Sequence, residues 1–361
     1  MSPLPNSLNL PIPLIQAPMA GSPTTPALVA AVSQAGALGS LAAGMLGPTA
    51  MTQAMQAVRA LTDQPFAVNL FVLPPPAPEP TEVERARARL APFYQRHGLS
   101  VPQPDRWCED FSAQLEAVLA DPPAWLSFTF GILSAEQVQR CHRAGSRVIG
   151  TATTVAEGLA WQSVGADAVC AQGAEAGGHR GSFLVTGQAG LIGSMALVPQ
   201  MVDRLSIPVI AAGGVMDGRG IAACLLLGAQ AVQMGTAFLL CEESGIDAAW
   251  RAALMTAQDD QTRVTRVFSG RAARGLNNAF IEQMSACEDE VPAYPLQNAL
   301  TAPLRQAAAR QGRADEQSLW AGQGVAMARA MPAGALVRRL DAEWRALLPG
   351  WSARRAQNGS V

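Results

Sequence analysis

Eight short apolar runs recur along the first two thirds of the chain, and stretches with helical character separate them. Continuous apolar runs are typical of parallel strands covered on both faces, because each crossover lays a helix over the sheet. Eight such units in series predict an α/β fold of the (β/α)8, or TIM, barrel type. The runs are LIQAPM (14–19), ALGSLAA (37–43), FAVNLFV (66–72), WLSFTFG (125–131), RVIGTAT (147–153), AVCAQG (168–173), PVIAAGG (208–214) and AVQMGTA (231–237).

Two segments do not follow this alternation. Residues 73–99 begin with a proline run and continue as an arginine-rich helix, which is typical of a surface excursion. Beyond about residue 240 the chain is helical and arginine-rich, with no further strand signal. Together they predict a smaller, mainly α-helical cap over the barrel mouth. The expected boundaries are 1–75 and 120–240 for the barrel, and 76–119 and 241–361 for the cap and C-terminal tail.

An uncharged stretch at residues 27–46 has the length of a membrane span. Ser33, Gln34 and several glycines interrupt it, so it predicts a helix, a turn and a buried strand instead. The N-terminus carries no basic segment followed by an apolar one, and we expect no secretory signal. The prediction is a cytoplasmic protein without a membrane segment.

Composition narrows the possible partners. The chain has 26 basic and 28 acidic residues, so it has no excess of positive charge that would indicate nucleic-acid binding. Small molecules are the expected partners. All 26 basic residues are arginines, and the absence of lysine excludes Schiff-base chemistry. The six cysteines form no C-x-x-C pair, which argues against a zinc site or a disulfide framework. We expect no bound metal, and a monomer or homodimer.

Glycines follow the last two predicted strands, at Gly213, Gly214 and Gly235. Glycine lets backbone N–H groups approach a ligand closely, and a helix N-terminus adds a favourable dipole, so these loops suit a phosphate. A tight turn without a ligand is the alternative.

Amide side chains stand at other strand ends, at Asn69, Gln172 and Gln233. Amides donate and accept hydrogen bonds, and they match the alternating carbonyls and nitrogens of a flavin. Glu175 is expected to orient its loop or cap a helix.

His179 lies in CAQGAEAGGHRGSF (170–183), where two glycines precede it and Arg180 follows it. A loop with so few large side chains indicates that a ligand approaches its backbone. His97, in the arginine-rich segment, and His142, in a helix, are expected to have ordinary capping or solvated roles.

The chain resembles the FMN-dependent nitronate monooxygenases in eight segments of the same order and spacing: QAPMAGSPTTPALVAAVSQAGALGSL, VNLF, SFTFG, CAQGAEAGGHRGSF, PVIAAGGV, QMGTAFL, TRVFSGRAARGLNN and SLWAGQ. The resemblance implies a flavin-bearing barrel in which His179 faces the flavin as the catalytic base. A histidine pKa near neutrality would suit proton removal from a nitroalkane. With the glycine loops, the expected FMN-binding residues are Met19, Asn69, Gln172, Gly177, Gly178, Gly213, Gly214, Gln233, Met234, Gly235 and Thr236.

The resemblance also implies oxidation of alkyl nitronates with O2 to a carbonyl product and nitrite, with propionate 3-nitronate as the suggested substrate. The sequence departs from some family members at Thr129, where they have a histidine. Around residues 294–303, Tyr294 is the remaining phenol. The departures at Thr129 and around residues 294–303, which include Asn298, leave the charge and size of the substrate anion open.

Two alternatives remain. An FMN-dependent NAD(P)H reductase of enoyl thioesters or quinones would have a similar Gly-Gly-His loop, although SFTFG and SLWAGQ favour the monooxygenase. A non-catalytic barrel that binds a phosphate ligand belongs to another class, and it would be colourless when purified.

Overall fold

The computed structural model describes residues 8–349, and eight parallel strands form its centre. Each of these eight strands lies within its predicted apolar run, so all eight predictions are confirmed. In chain order the strands of the whole fold are β1 (Leu14–Gln16), β2 (Gly39–Ala42), β3 (Phe66–Phe71), β4 (Trp125–Thr129), β5 (Arg147–Ala152), β6 (Ala168–Gln172), β7 (Gly178–His179), β8 (Val209–Ala212), β9 (Ala231–Met234), β10 (Thr262–Thr265) and β11 (Ala273–Leu276).

The central sheet closes on itself. Its strand order is β1-β9-β8-β6-β5-β4-β3-β2, and neighbouring strands are parallel. Ile15 of β1 pairs in parallel with Leu38, which directly precedes β2. The predicted (β/α)8 barrel is therefore confirmed, and the carboxyl ends of its strands meet at one mouth.

Successive residues of the barrel strands face different cores, because strand side chains alternate between the two faces. Ile149 and Ile210 belong to a cluster inside the barrel, which Leu8 and Leu10 of the N-terminal segment join. Val148, next to Ile149 on β5, belongs to the larger cluster between the sheet and the helices. Both strand faces are buried, which explains the continuous apolar runs.

Helices surround the barrel, and Pro26, Pro48 and Pro80 stand at the start of the first three, where a missing N–H costs nothing. The stretch 27–46 forms a helix and a strand as predicted, and no helix within residues 8–349 is long and apolar enough to cross a membrane. The helices are α1 (Pro26–Gln34), α2 (Pro48–Leu61), α3 (Pro80–Arg96), α4 (Phe111–Ala120), α5 (Ala135–Arg143), α6 (Val155–Ser163), α7 (Ser194–Arg204), α8 (Gly218–Leu226), α9 (Thr236–Leu239), α10 (Ala248–Thr256), α11 (Ala279–Met284), α12 (Leu296–Arg310) and α13 (Ala333–Leu347).

A second, antiparallel sheet has the strand order β10-β11-β7. The prediction that no strand follows residue 240 is wrong for β10 and β11. Their sequences, TRVT and ARGL, contain arginine, threonine and glycine instead of an apolar run, and β11 pairs with a strand far away in sequence. That pairing sets Ala273 opposite His179 and Arg274 opposite Gly178, so it fixes the His179 loop.

The inserted helix α3 and the C-terminal segment share one apolar cluster. Leu90 and Phe93 of α3 lie in it with Phe280, and the hydroxyl of Tyr94 donates to the carbonyl oxygen of Leu300 at 2.5 Å. This contact between distant segments is what a common cap requires.

Two helices assigned to the cap by sequence instead contact the barrel helices. Helix α4 packs against α2, and α13 packs against α1 and α8. We therefore propose that the cap comprises residues 76–110 and 241–332. The expected tail at 350–361 lies outside the described residues.

Candidate active site

A cavity of about 570 Å³ lies at the carboxyl ends of the barrel strands, between barrel and cap. Cap residues such as Tyr294, Arg305 and Trp320 form part of its wall. The structure brings every residue that the sequence assigned to the site to this wall: Met19, Asn69, Gln172, Gly177, Gly178, His179, Gly213, Gly214, Gln233, Met234, Gly235 and Thr236.

The loop after β8 is held in a conformation that favours glycine. Gly213 and Gly214 have φ values of +113° and +73°, and a Cβ at Gly214 would lie 3.3 Å from the Cβ of Glu175. Their missing side chains leave backbone exposed at the cavity wall, as a phosphate cradle requires.

We expected the N-terminus of α8, the helix after this loop, to help bind the phosphate, but its first N–H groups already have protein partners. The Asp217 side chain accepts from the N–H groups of Arg219 and Gly220, and the N–H of Gly218 donates to Glu343 on α13. Two protein carboxylates thus occupy the start of α8, and a phosphate would depend on the glycine loops themselves.

The loop after β9 is open at Gly235, whose φ of −106° suits any residue. A Cβ there would lie 3.4 Å from Ala17 Cβ and 3.6 Å from Met19 Sδ, which are ordinary distances. The hydroxyl of Thr236 accepts the N–H of Gly322 at 2.9 Å, so a cap segment anchors this loop.

The three amide side chains differ in how much hydrogen-bonding capacity the protein uses. Gln233 has no side-chain hydrogen bond within residues 8–349, whereas Asn69 donates to the hydroxyl of Ser127 at 3.0 Å. Gln172 uses both ends on the histidine loop: Nε2 donates to the His179 carbonyl and Oε1 accepts from Gly181 N. A flavin fits this donor set, because Gln233 is free to bind a ring edge and Gln172 shapes the adjacent loop.

The two glycines before His179 serve different purposes. A Cβ at Gly177 would lie 2.5 Å from the backbone nitrogen of Gly322, so Gly177 allows close packing against the cap. Gly178 has a φ of +73°, and a Cβ there would meet no atom within 4 Å. Gly178 therefore supplies the left-handed turn and leaves open space beside it.

His179 is enclosed by aromatic rings. Its ring lies 5.6 Å from Phe130, 5.7 Å from Tyr294 and 5.3 Å from Trp320, measured between centroids. Its Nε2 lies 2.8 Å from Ser269 Oγ, whose hydroxyl donates to the carbonyl of Arg271. Either atom of the His179–Ser269 pair can be the donor. With the Ser269 hydroxyl donating to Arg271, the imidazole proton lies on Nε2 and the lone pair on Nδ1.

The expectation of a His179 pKa near neutrality is wrong for this structure. Burial, Arg271 and Arg305, in that order, lower the pKa of His179 to about 3. Both charges disfavour an imidazolium, so His179 is neutral at pH 7. It is competent to accept a proton, but it holds one weakly unless an anion binds beside it.

This shift predicts a pH dependence of stability. The folded pKa lies below the unfolded value, so as pH falls below about 6.5 the unfolded chain binds the proton first and the folded state loses stability. We expect the free energy of unfolding to fall by up to about 1.4 kcal/mol per pH unit more in the parent than in His179→Asn, between about pH 6 and pH 4. Urea denaturation of both proteins over this range measures the difference, and parallel curves would contradict the shifted pKa.

Sequence reasoning gave no role to Ser269, Arg271 or Arg305, although the TRVFSGRAARGLNN segment contains the first two. Arg271 donates to the Arg180 carbonyl at 3.0 Å and lies 4.2 Å from the centroid of Phe130. Arg305 comes from α12. No local signal distinguishes these residues from the other serines and arginines of the chain.

Glu175, His142 and His97 were expected to have structural roles. Glu175 accepts from the N–H of Ser194 at 2.9 Å and so caps α7, as predicted. His142 pairs with Asp167 at the surface, and His97 lies 2.5 Å from buried Glu316, joining α3 to the C-terminal segment. Neither lines the cavity.

Thr129 and Asn298 both line the cavity. The hydroxyl of Thr129 lies 3.3 Å from that of Thr151, and Asn298 Oδ1 accepts from Arg305 at 2.8 Å. Thr129 belongs to β4 and Asn298 to α12, so the barrel and the cap each contribute one of them to the wall.

A (β/α)8 barrel with glycine loops, amide side chains and a histidine around a cavity at the carboxyl ends of its strands defines a barrel enzyme with its active site at the mouth. The chain belongs to the nitronate monooxygenase family, whose model matches residues 6–343.

Individual relatives agree with this family. The chain is 46% identical over 348 residues to a probable nitronate monooxygenase of Staphylococcus haemolyticus, which covers 96% of this chain and 97% of that protein. Nitroalkane oxidase from Streptomyces ansochromogenes has a similar structure, with a TM-score of 0.88 and 42% identity over 97% of this chain and 99% of that one. FabK from Thermotoga maritima has a TM-score of 0.75 and 26% identity over 96% and 97%.

Proposed function

We propose that the protein oxidises alkyl nitronates with FMN and O2 and releases a carbonyl compound and nitrite. The observation that supports this proposal most is the positive charge near His179, which comes from Arg271 and Arg305. A nitronate is an anion, so this environment stabilises it relative to the neutral nitroalkane. Family membership supports nitronate oxidation, and the FMN cofactor, O2 and the products are what we add.

Different residues would bind the phosphate, the flavin ring and the substrate. The backbone at Gly214 and Gly235 would hold the phosphate, and Gln233 would bind the ring edge. Bound FMN would supply the electron acceptor and the group that reacts with O2. The aromatic rings around His179 would position the substrate beside its imidazole.

His179 would act on protons. With Nε2–H directed to Ser269, its Nδ1 would accept the α-proton of a neutral nitroalkane, and the nitronate produced would favour the imidazolium it leaves behind. A preformed nitronate has already lost that proton and would need His179 only as a hydrogen-bond partner.

Anaerobic reduction tests the proposed function. The purified protein should be yellow, and heat should release FMN identifiable by chromatography. An alkyl nitronate added without O2 should bleach the flavin, whereas NADH should not do so at a useful rate. Rapid bleaching by NADH would favour the alternative of an NAD(P)H reductase. A colourless protein would favour a phosphate-binding barrel.

A further inference from the structure

Arg180 lies behind the histidine loop, on the side away from the cavity. His179 lines the cavity wall, whereas Arg180, the next residue, does not. Successive side chains of extended backbone point to opposite sides, so the two residues face different surroundings. Arg180 is only 3% exposed. Contacts within the protein, and not solvent, therefore determine where its guanidinium lies.

The guanidinium of Arg180 binds three backbone carbonyls. Its Nη1 donates to the carbonyl of Gly173 at 2.5 Å, and its Nη2 donates to the carbonyls of Gln172 and Gly190 at 2.7 Å and 2.9 Å. A planar guanidinium has its donors in a fixed fork, and hydrogen bonds from a charged donor are stronger than those between neutral groups. Arg180 thus joins the end of β6 to a segment ten residues further along the chain than itself.

The backbone of Arg180 is held from the other side of the cavity mouth, by the cap. Its N–H donates to the carbonyl of Ala272 at 2.8 Å, and its carbonyl accepts from Arg271 Nε at 3.0 Å. Arg180 therefore contacts the barrel through its side chain and the cap through its backbone. The residue next to His179 is a junction between the two parts of the fold.

Gln172 and Arg180 hold each other across the histidine loop. The Gln172 side chain donates to the carbonyl of His179 at 3.0 Å and accepts the N–H of Gly181 at 2.8 Å, on either side of Arg180. Arg180 in turn donates to the carbonyl of Gln172. These reciprocal bonds close the loop 173–178, and His179 directly follows it. They restrict a segment whose glycines would otherwise allow many backbone conformations.

The guanidinium is charged, but its bonds are not directed to a ligand. Burial and then Arg274 lower the pKa of Arg180 to about 10, while Glu175 and Glu157 act in the opposite direction, so it is protonated at pH 7. Its Nε is buried without an acceptor, and the groups that it binds are backbone carbonyls. Such contacts fix the course of the chain.

We propose that Arg180 is a positioning residue for His179, and that its hydrogen bonds to Gln172, Gly173 and Gly190 fix where the imidazole lies in the cavity. This inference rests on the proposed function, in which His179 accepts the α-proton of a nitroalkane. Proton transfer requires the base to be within hydrogen-bond reach of the proton, and a displacement of about 1 Å can slow a reaction by about 100-fold.

Two substitutions of Arg180 test the inference through turnover. Arg180→Met fills similar space without donors and should lower kcat for 1-nitropropane by about 100-fold per bound flavin, with KM changed by less than about 3-fold. Arg180→Lys keeps the charge but not the fork, so its loss should be smaller, about 10-fold. Oxidation of the preformed nitronate should change by less than about 3-fold in both variants, because no α-proton has to be removed.

Arg251 offers a matched control. On α10 its guanidinium donates to two successive carbonyls, those of Leu240 and Cys241, at 2.8 Å and 3.0 Å, and it does not line the cavity. Arg251→Lys therefore removes the same kind of contact at another place and should leave both activities unchanged. If Arg180→Lys is unfolded while Arg251→Lys folds, Arg180 supports the whole fold, and a role confined to the histidine loop is overturned.

Nuclear magnetic resonance observes the position of His179 without turnover. The chain has three histidines, so ¹⁵N-histidine labelling gives three sets of ring signals, and His97→Asn and His142→Asn assign them. In the parent with oxidised FMN bound, His179 should show one neutral tautomer above about pH 5, because its pKa is lowered to about 3. In Arg180→Lys its signals should move or broaden and its pKa should rise towards 6.5, whereas those of His97 and His142 should not change.

The signals of His179 decide between the outcomes. If the parent oxidises neither substrate while these signals still respond to Arg180→Lys, the proposed function fails and the positioning role stands. Unchanged His179 signals in a folded Arg180→Lys protein would overturn the role whatever the activities show. Loss of FMN with unchanged His179 signals would also overturn it, because Arg180 would then support the cofactor loop and not the imidazole.

Discussion

Gly235→Val is expected to give a folded protein that does not retain FMN. The backbone at Gly235 has a φ of −106°, which valine adopts readily, and a Cβ there would meet Ala17 and Met19 at ordinary distances. The added methyl groups would instead occupy the cavity wall at which backbone N–H groups are proposed to approach the phosphate. Methyl groups in that space would block hydrogen bonds to the phosphate and should weaken FMN binding by about 100-fold or more.

Gly235 is a better position for this experiment than Gly214. A valine at Gly214, with its φ of +73°, would strain the backbone whether or not a phosphate binds there. Flavin absorbance after desalting measures retention, and circular dichroism with thermal unfolding checks the fold. Gly235→Ala adds only the Cβ, and it should keep most of the flavin. A Gly235→Val protein that stays yellow would place the phosphate elsewhere.

The barrel and the location of the site could be predicted because both depend on local sequence. Each strand is a largely apolar run, and the barrel geometry brings the residues towards its carboxyl end to the mouth. Asn69, Gln172 and Gln233 are therefore found together although they are far apart in the chain. The α1–β2 unit could be predicted in the same way, since glycine and polar residues interrupt its apolar stretch.

What could not be predicted depends on contacts between distant segments. The strand β11 contains Arg274 and Gly275, and it becomes a strand because it pairs with the His179 loop. The pKa of His179 depends on burial and on Arg271 and Arg305, which the cap brings near it. The sequence around the start of α8 does not indicate that Glu343 of α13 lies against it. None of these contacts has a local signal.

His179→Asn should lower turnover of a neutral nitroalkane such as 1-nitropropane by about 10²–10⁴-fold, the usual contribution of a positioned general base. Oxidation of the preformed nitronate should fall far less, by under about 10-fold, because no α-proton has to be removed. Asparagine keeps a polar group next to Ser269 but offers no basic nitrogen. The ratio of the two losses therefore measures proton abstraction and not binding.

The pH profile sharpens this prediction. Because the pKa of His179 is lowered to about 3, the acid limb of kcat/KM for the nitroalkane should lie well below pH 6.5, and the rate should stay level between about pH 6 and pH 8. An ordinary histidine would lose activity through about pH 6.5. A limb near pH 6.5 would mean that bound flavin offsets the effect of Arg271 and Arg305.

His142→Asn is the matched control, because His142 pairs with Asp167 at the surface and lies outside the cavity. It should leave both activities unchanged. The flavin spectrum of His179→Asn must match that of the parent, since lost cofactor would imitate lost catalysis. Equal losses on nitroalkane and nitronate would assign His179 to binding the nitro group or to tuning the flavin. In that case its neutral imidazole, held by Ser269 and enclosed by aromatic rings, would act as a hydrogen-bonding group and not as the base.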